Sequence, residues 1–328
     1  MHEDSQEHAL IRRYFSACGA ERDDVRLGVG DDGAIVHVPP DQALVTVVDT
    51  LVAGVHFDLR APAQTVGHKA LAVNLSDVAA MGAVPAWMTL ALSLPDIDAS
   101  WVASFARGLD MLARAHDVAL VGGDITRGPL TVTVQVQALL PRGQGLQRKG
   151  ARAGDRLYVT GTPGDAALGL AIEQGAIEVP ALHRDYLLQR LRQPEPRLAA
   201  GRSLLDYASA AIDVSDGLLT DLGHLCRASG VGVRVEIDAL PQSAALHETV
   251  DGDAALSLAL GGGDDYELLV ALPGTNEVQA LAAMGGLDCG FTPIGTFVEG
   301  ADVLCINAAG DPVAIAAPGY RHFGEVSQ

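Results

Sequence analysis

The sequence predicts an α/β protein with mixed sheets, built as two domains. Strand-like and helix-like segments alternate along the 328 residues without a regular period. Residues 131–138 alternate strictly between two sets of side chains, as expected for a strand of an antiparallel or mixed sheet. This length suits two cores, and the composition turns basic and glycine-rich around residues 141–154. We therefore expect one α/β domain over residues 1–145 and a second over residues 150–328.

The elements of the first half follow from the spacing of apolar residues. Leu71, Leu75 and Val78 recur at helical spacing, and Thr65 is the expected N-cap of their helix. Val132, Val134 and Val136 should share the buried face of the alternating strand. The predicted helices cover residues 10–15, 65–81 and 99–115, and the predicted strands cover residues 33–38, 43–48, 118–121 and 131–138.

The second half repeats this alternation. We expect strands over residues 156–160, 210–214, 231–237 and 266–272, and a helix over residues 165–174. Another helix should follow residue 214, capped by Ser215 or Asp216, with Leu218, Leu222 and Leu225 on its buried stripe. Asp221 is interpreted as a solvated residue of that helix.

Composition and charge exclude several classes of partner. The formal charge of −19 and the presence of only two lysines argue against binding to nucleic acid or to an anionic membrane. The four cysteines are widely separated, which indicates neither a zinc site nor a disulfide framework. The chain has no apolar run of membrane-spanning length and no basic region followed by an apolar stretch at its start. A cytoplasmic protein is the expectation.

Three common nucleotide-binding signatures fail on context or spacing. Residues 28–33 match Gly-x-Gly-x-x-Gly, but a strand follows where the dinucleotide motif requires a helix. A Gly-x-x-x-x-Gly-Lys-Ser/Thr phosphate loop does not occur in the sequence. Residues 183–185 imitate the His-Arg-Asp of protein kinases, but Arg190 stands where asparagine is needed.

Aspartate recurs where apolar runs meet glycine or turns, and this pattern is the best indication of function. A single such aspartate is ordinary turn or cap chemistry. Repetition favours a shared site, because converging carboxylates repel one another unless cations lie between them. An oxygen-rich site without cysteine favours Mg²⁺ and phosphate substrates. The segments are residues 30–33, 48–50, 76–77, 122–124, 213–217 and 262–265, and the aspartates with the strongest case are Asp32, Asp49, Asp77 and Asp213.

Three further side chains are candidates with structural alternatives. His56 follows the Asp49 strand by one loop and is either a ligand contact or a packed histidine. Arg148 can bind a phosphate through two N–H groups of its planar guanidinium group, although a basic interdomain loop is usually solvated. Ser215 is either a donor to a phosphate oxygen or a simple N-cap.

These segments, in order along nearly the whole chain, resemble the thiamine-monophosphate kinase family of the aminoimidazole-ribonucleotide-synthetase-like group. The resemblance implies two α/β domains, a homodimer formed through the amino-terminal domain, and transfer of the γ-phosphoryl group of ATP to thiamine monophosphate. The segments are residues 30–32, 49–51, 54–57, 74–77, 122–124, 160–165, 213–217, 265–268 and 319–323.

The resemblance also implies a role for individual residues. The implied Mg²⁺ ligands are Asp32, Asp49, Asp77, Asp124, Asp213 and Asp216. The implied ATP contacts are Gly123, Asp124, Arg148 and Ser215, and the implied contacts with thiamine monophosphate are His56, Asp264 and Tyr320. The chain departs from the family pattern at Val48, where a hydroxyl residue is usual, and at Asp264, where glutamate is usual.

The chemistry explains why the sequence offers no obvious catalytic base. The acceptor phosphate has a second pKa of about 6, so it is already an anion near neutral pH. We expect direct in-line transfer assisted by several Mg²⁺ ions, without a phosphoenzyme. Two alternatives stay open: a purine-pathway synthetase of the same group, and a non-catalytic protein that only binds divalent metal.

Overall fold

The computed structural model describes residues 6–315 and residue 319, and it divides into two compact units. One unit holds the described residues up to Val78 together with Ala83–Gln144, and the other holds Ala79–Gly82 and the described residues from Gly145 onward. Both units contain a mixed sheet, so the predicted α/β class with mixed sheets is confirmed.

The first unit contains a four-stranded sheet in the order β3-β6-β4-β5. β6 pairs antiparallel with β3 and with β4, whereas β4 and β5 are parallel. A π-helical turn over Ile11–Phe15 follows α1. The elements are α1 (Gln6–Leu10), β1 (Val25–Leu27), β2 (Ile35–Val36), β3 (Gln42–Val52), α2 (Ala63–Ala80), β4 (Val84–Leu94), α3 (Ala99–Ala115), β5 (Ala119–Arg127) and β6 (Thr131–Pro141).

Close packing of α2 against α3 depends on two glycines. A Cβ atom on Gly67 would lie 2.1 Å from the Phe105 carbonyl oxygen, and one on Gly108 would lie 1.9 Å from the Gln64 carbonyl oxygen. Any larger residue would push the helices apart. Leu71, Leu75 and Val78 are fully buried, as predicted. The predicted cap is wrong, because α2 begins at Ala63 and the Thr65 hydroxyl instead donates to the Pro62 carbonyl at 2.8 Å.

The second unit contains a six-stranded sheet in the order β12-β9-β11-β7-β10-β8, antiparallel except where β12 meets β9. The hydrophobic core of this unit includes the buried side chains of Leu157, Ile212, Leu222, Val233 and Leu269. The elements are β7 (Arg156–Thr160), α4 (Asp165–Glu173), α5 (Ala181–Arg192), α6 (Leu198–Leu204), β8 (Ala210–Asp213), α7 (Leu218–Ser229), β9 (Gly232–Glu236), α8 (Ala244–Thr249), α9 (Gly252–Gly261), β10 (Leu268–Leu272), α10 (Glu277–Met284), β11 (Phe291–Val298) and β12 (Val303–Ile306).

Within residues 6–315 and 319, none of the helices has the length and apolar character needed to cross a bilayer.

Candidate functional site

In the first unit, strand pairing places two of the predicted site residues, Asp49 and Gly123, in the same row across the sheet. Asp49 on β3 pairs with Val134, which pairs with Leu90, which pairs with Gly123 on β5. Three strand spacings separate β3 from β5, roughly 14 Å. The sequence predicted a strand that ends at residue 48, directly before Asp49. β3 instead continues to Val52, so Asp49 lies three residues before the end of its strand.

Gly123 occupies a position that only glycine fits. Its φ is 154°, and a Cβ atom there would lie 1.9 Å from the Leu90 carbonyl oxygen. The residue therefore lets β5 approach β4 closely while leaving its own backbone exposed. Asp124, next along the strand, is also exposed.

A small, half-open cavity of about 30 Å³ adjoins this glycine-aspartate segment. Most of its lining is apolar, and it belongs entirely to the first unit. The lining residues are Ile11, Phe15, Val29, Leu90, Leu120, Gly122, Gly123, Asp124 and Ile125. The cavity thus places apolar side chains beside the exposed backbone of Gly123 and the carboxylate of Asp124.

His56 is oriented by the backbone of its own loop. Its Nδ1 atom accepts a hydrogen bond from the Val52 amide at 2.9 Å, so the ring proton of the neutral form lies on Nε2. The His56 carbonyl oxygen accepts from the Lys69 ammonium group at 3.4 Å. An imidazole held this way can donate through Nε2, which suits contact with an anion.

The remaining predicted residues of this unit lie on α2 and on the loop before β2. Asp77 is half-buried on α2, and Asp32 is exposed. Asn74, one turn before Asp77, is fully buried, and its Oδ1 atom has no hydrogen-bond partner among the described residues. A buried amide oxygen in this state suits an oxygen-bound cation or a water attached to one.

In the second unit, the turn after β8 gathers the predicted residues around one buried carboxylate. Asp221 is 4% exposed, and its Oδ2 atom accepts hydrogen bonds from the amides of Ser215 and Asp216, each at 3.0 Å. Burial and the neighbouring charge of Asp213 raise the pKa of Asp221 to about 7. The prediction of a solvated Asp221 is therefore wrong.

The predicted cap of α7 is also wrong. The N-cap is Gly217, and neither Ser215 nor Asp216 caps the helix with its side chain. The Asp221 carboxylate, from within the first turn, satisfies the two amides instead. The sequence contained a signal for this role, because Asp221 lies three residues after Leu218 and one before Leu222, on the buried stripe itself.

Arg148 lies within electrostatic reach of the same turn. Burial lowers the pKa of His224, and the charges of Arg227 and Arg148 lower it further, while Asp216 acts in the opposite direction. Arg148 and Asp216 are thus both neighbours of one imidazole. The Arg148 side chain is exposed, and its carbonyl oxygen accepts from the Ser229 hydroxyl at 2.9 Å.

Asp264 joins this group through the backbone. Its amide donates to the Ser215 carbonyl at 2.9 Å, which ties the loop at residues 262–266 to the turn at residues 213–217. Below the loop, Glu267 is fully buried and accepts from Arg190 and from the Thr160 hydroxyl, each at 2.7 Å. Tyr320, the third predicted substrate contact, lies outside the described residues.

The predicted Mg²⁺ ligand set stays a prediction. Burial raises the pKa of Asp221, and the charges of Asp213 and Asp216 raise it further, so these three carboxylates lie near one another. In the part of the chain that the structure describes, no group of three or more His, Cys, Asp or Glu side chains stands close enough to hold a metal ion.

Comparison with known proteins decides the family. Models of the AIR synthase related protein match at residues 30–139 for the N-terminal domain and at residues 152–305 for the C-terminal domain. A thiamine-monophosphate kinase of Escherichia coli K12 is 48% identical over 97% of this chain and 98% of its own length. This chain belongs to the thiamine-monophosphate kinase family.

Solved structures agree with this membership. The thiamine-monophosphate kinase of Stenotrophomonas maltophilia K279a is 44% identical, with a TM-score of 0.84 over 89% of this chain and 93% of that one. The structure of AaThiL complexed with AMPPCP and TMP is 32% identical, with a TM-score of 0.76 over 89% of this chain and 91% of that one. The family predicted from the ordered glycine-aspartate segments is confirmed.

Proposed function

We propose that this chain transfers the γ-phosphoryl group of ATP to thiamine monophosphate, giving thiamine diphosphate and ADP. The supporting observation is full-length similarity to thiamine-monophosphate kinases, at 48% identity in the Escherichia coli protein. The relative complexed with AMPPCP and TMP supports the pairing of a nucleotide with a second phosphate compound.

The proposed ATP contacts are Gly123, Asp124, Arg148 and Ser215. Gly123 and Asp124 are both exposed on β5 beside the small apolar cavity, so a nucleotide can reach them. Ser215 and Arg148, both near Asp216, would contact the triphosphate through a hydroxyl and a guanidinium. With 41 acidic and 22 basic residues, the chain as a whole repels phosphates, so cations should screen them.

Magnesium ions would be held by Asp32, Asp49, Asp77, Asp124, Asp213 and Asp216. Bound there, they would neutralise charge on the transferred group and on both phosphates. The protein's own contribution is to align the two anions. His56 donates from Nε2 to the acceptor phosphate, and Asp264 faces the cationic part of thiamine.

Direct in-line transfer follows from the acceptor. Its phosphate oxygen is already ionised near neutral pH, so a base is unnecessary. The Nδ1 atom of His56 already accepts a backbone hydrogen bond, which supports a role as donor. A phosphorylated protein that passes its label to thiamine monophosphate would contradict direct transfer.

The decisive experiment incubates the purified chain with Mg²⁺, ATP and thiamine monophosphate and measures thiamine diphosphate. We expect product that depends on all three. ADP released only with the purine-ring precursor would favour the related synthetase activity. Metal binding without any turnover would favour a metal-binding protein.

We infer that the active form is a homodimer in the cytoplasm. β3 is an edge strand, and its Leu44 side chain is 48% exposed. An apolar sheet edge is a ready pairing surface. Light scattering should give twice the chain mass, and Leu44→Glu should reduce it to a monomer. The four free cysteines suit a reducing compartment.

A further inference from the structure

The loop at residues 262–266 is locally strained. Asp264 has a φ of 68° and Tyr266 has a φ of 53°, two of the three non-glycine residues with left-handed backbone in the described chain. Aspartate tolerates this region, but a tyrosine adopts it only when the surroundings require it. Strain of this kind concentrates at ligand-binding sites.

Three contacts hold the strained backbone in place. The amide of Asp264 donates to the Ser215 carbonyl at 2.9 Å, and the amide of Tyr266 donates to the Val214 carbonyl at 2.8 Å. Between them, Asp265 is 1% exposed and accepts from the Gly164 amide at 2.8 Å. The loop is therefore held by hydrogen bonds on both sides of Asp264.

That conformation brings the Tyr266 phenol back onto Asp264. The phenol oxygen donates to Asp264 Oδ1 at 2.9 Å, two residues away in sequence. Tyr266 is 7% exposed, so its ring is fixed by packing, and the partly exposed carboxylate is oriented by a rigid donor.

We propose that Tyr266 is a positioning residue that orients the Asp264 carboxylate toward the cationic part of thiamine monophosphate. The inference rests on the proposed function and deepens it. Asp264 is one methylene shorter than the glutamate usual in the family, so its reach depends more strongly on its orientation. A hydrogen bond from a buried phenol limits that freedom, and no basic residue is needed to do so.

The test is Tyr266→Phe, which keeps the ring and removes the donor. We expect the KM for thiamine monophosphate to rise about tenfold, the loss typical of one hydrogen bond to a charged group. The KM for ATP should stay within about twofold. Tyr186→Phe is the matched control, since the Tyr186 phenol also donates to an aspartate, Asp165, at 2.8 Å. An unchanged KM for thiamine monophosphate, or equal changes for both substrates, would overturn the proposal.

A double-mutant cycle with Asp264→Ala separates positioning from general support of the fold. In that background, Tyr266→Phe should change the KM by less than about twofold, because its partner is gone. Independent, multiplying effects would overturn the proposal. If the unaltered protein makes no thiamine diphosphate, both the proposed function and this inference are wrong. If the unaltered protein is active and Tyr266→Phe leaves the KM for thiamine monophosphate unchanged, only this inference is wrong.

Discussion

Arg197 and Glu267 form a doubly hydrogen-bonded ion pair in the interior of the second unit. The Nε and Nη2 atoms of Arg197 each lie 2.7 Å from a carboxylate oxygen of Glu267. Gly161 makes room for this pair, because a Cβ atom there would lie 2.2 Å from Glu267 Oε1. The pair lies directly after the loop that carries Asp264, so it anchors the candidate substrate loop.

Glu267→Gln should lower the free energy of unfolding by about 3 kcal/mol, since it leaves two guanidinium groups buried without their full counter-charge. Urea denaturation measures the change. Glu248→Gln is the control, because Glu248 pairs with His183 at the surface and should change stability by less than about 1 kcal/mol. Equal losses in the two variants would contradict the anchoring role.

The same pair predicts a pH dependence. Burial alone would raise the pKa of Glu267, but the hydrogen bond and charge of Arg197 outweigh it and lower the pKa below its usual 4.5. The unfolded chain therefore takes up the proton first as the pH falls. The stability due to Glu267 is present above about pH 4.5 and is lost as the pH falls through the folded-state pKa.

Denaturation of the unaltered protein and Glu267→Gln across pH 3 to 7 measures this contribution. The difference in unfolding free energy should shrink below about pH 4.5. A difference that stays constant over the range would show that the pair does not set the acid stability.

Asp49→Asn should abolish turnover, with a loss of at least about a hundredfold, and leave the fold intact. The substitution removes a proposed ligand's charge without changing its volume. The measurement is thiamine diphosphate formation, with thermal unfolding as the check on folding. Asp41→Asn, at an exposed position before β3, is the control and should keep full activity. Full activity of Asp49→Asn would remove Asp49 from the metal set.

Asp221 should affect ATP binding through the two amide hydrogen bonds that it accepts. Asp221→Asn retains an oxygen acceptor and should keep most activity, whereas Asp221→Ala leaves the amides of Ser215 and Asp216 unpaired. We expect at least a tenfold weaker affinity for ATP in the alanine variant, measured by calorimetry with Mg²⁺. Equal losses in both variants would assign the effect to charge instead.

Val48→Thr tests the departure from the family pattern. Val48 is 58% exposed, so a hydroxyl there should change the free energy of unfolding by less than about 0.5 kcal/mol. If this position supplies the missing oxygen ligand, the Mg²⁺ concentration for half-maximal activity should fall. An unchanged Mg²⁺ requirement would show that the hydroxyl is not a ligand here.

Periodicity in the sequence correctly predicted the elements that have one buried face and one more exposed face. Val132, Val134 and Val136 are fully buried on β6, and α3 and β7 have the predicted bounds. The sequence prediction missed β4, although it is central to its sheet. Pro85 argues against a central strand, and the structure accommodates it at an irregularity between Pro85 and Trp87.

The candidate site likewise contains some residues that the sequence pattern revealed and others that it did not. Its glycine-aspartate segments were visible because their residue types are unusual at apolar junctions. Glu267 was not, because its partners Arg190 and Arg197 are distant in sequence, and the only signal for Asp221 was its place on the buried stripe of its helix. The left-handed Tyr266 was equally hidden, since tyrosine carries no signal for that conformation.

The carboxylate of Asp221 accepts hydrogen bonds from the amides of Ser215 and Asp216, just before α7. Both amides are therefore satisfied within the protein itself. The turn does not need a bound anion to hold its backbone in place.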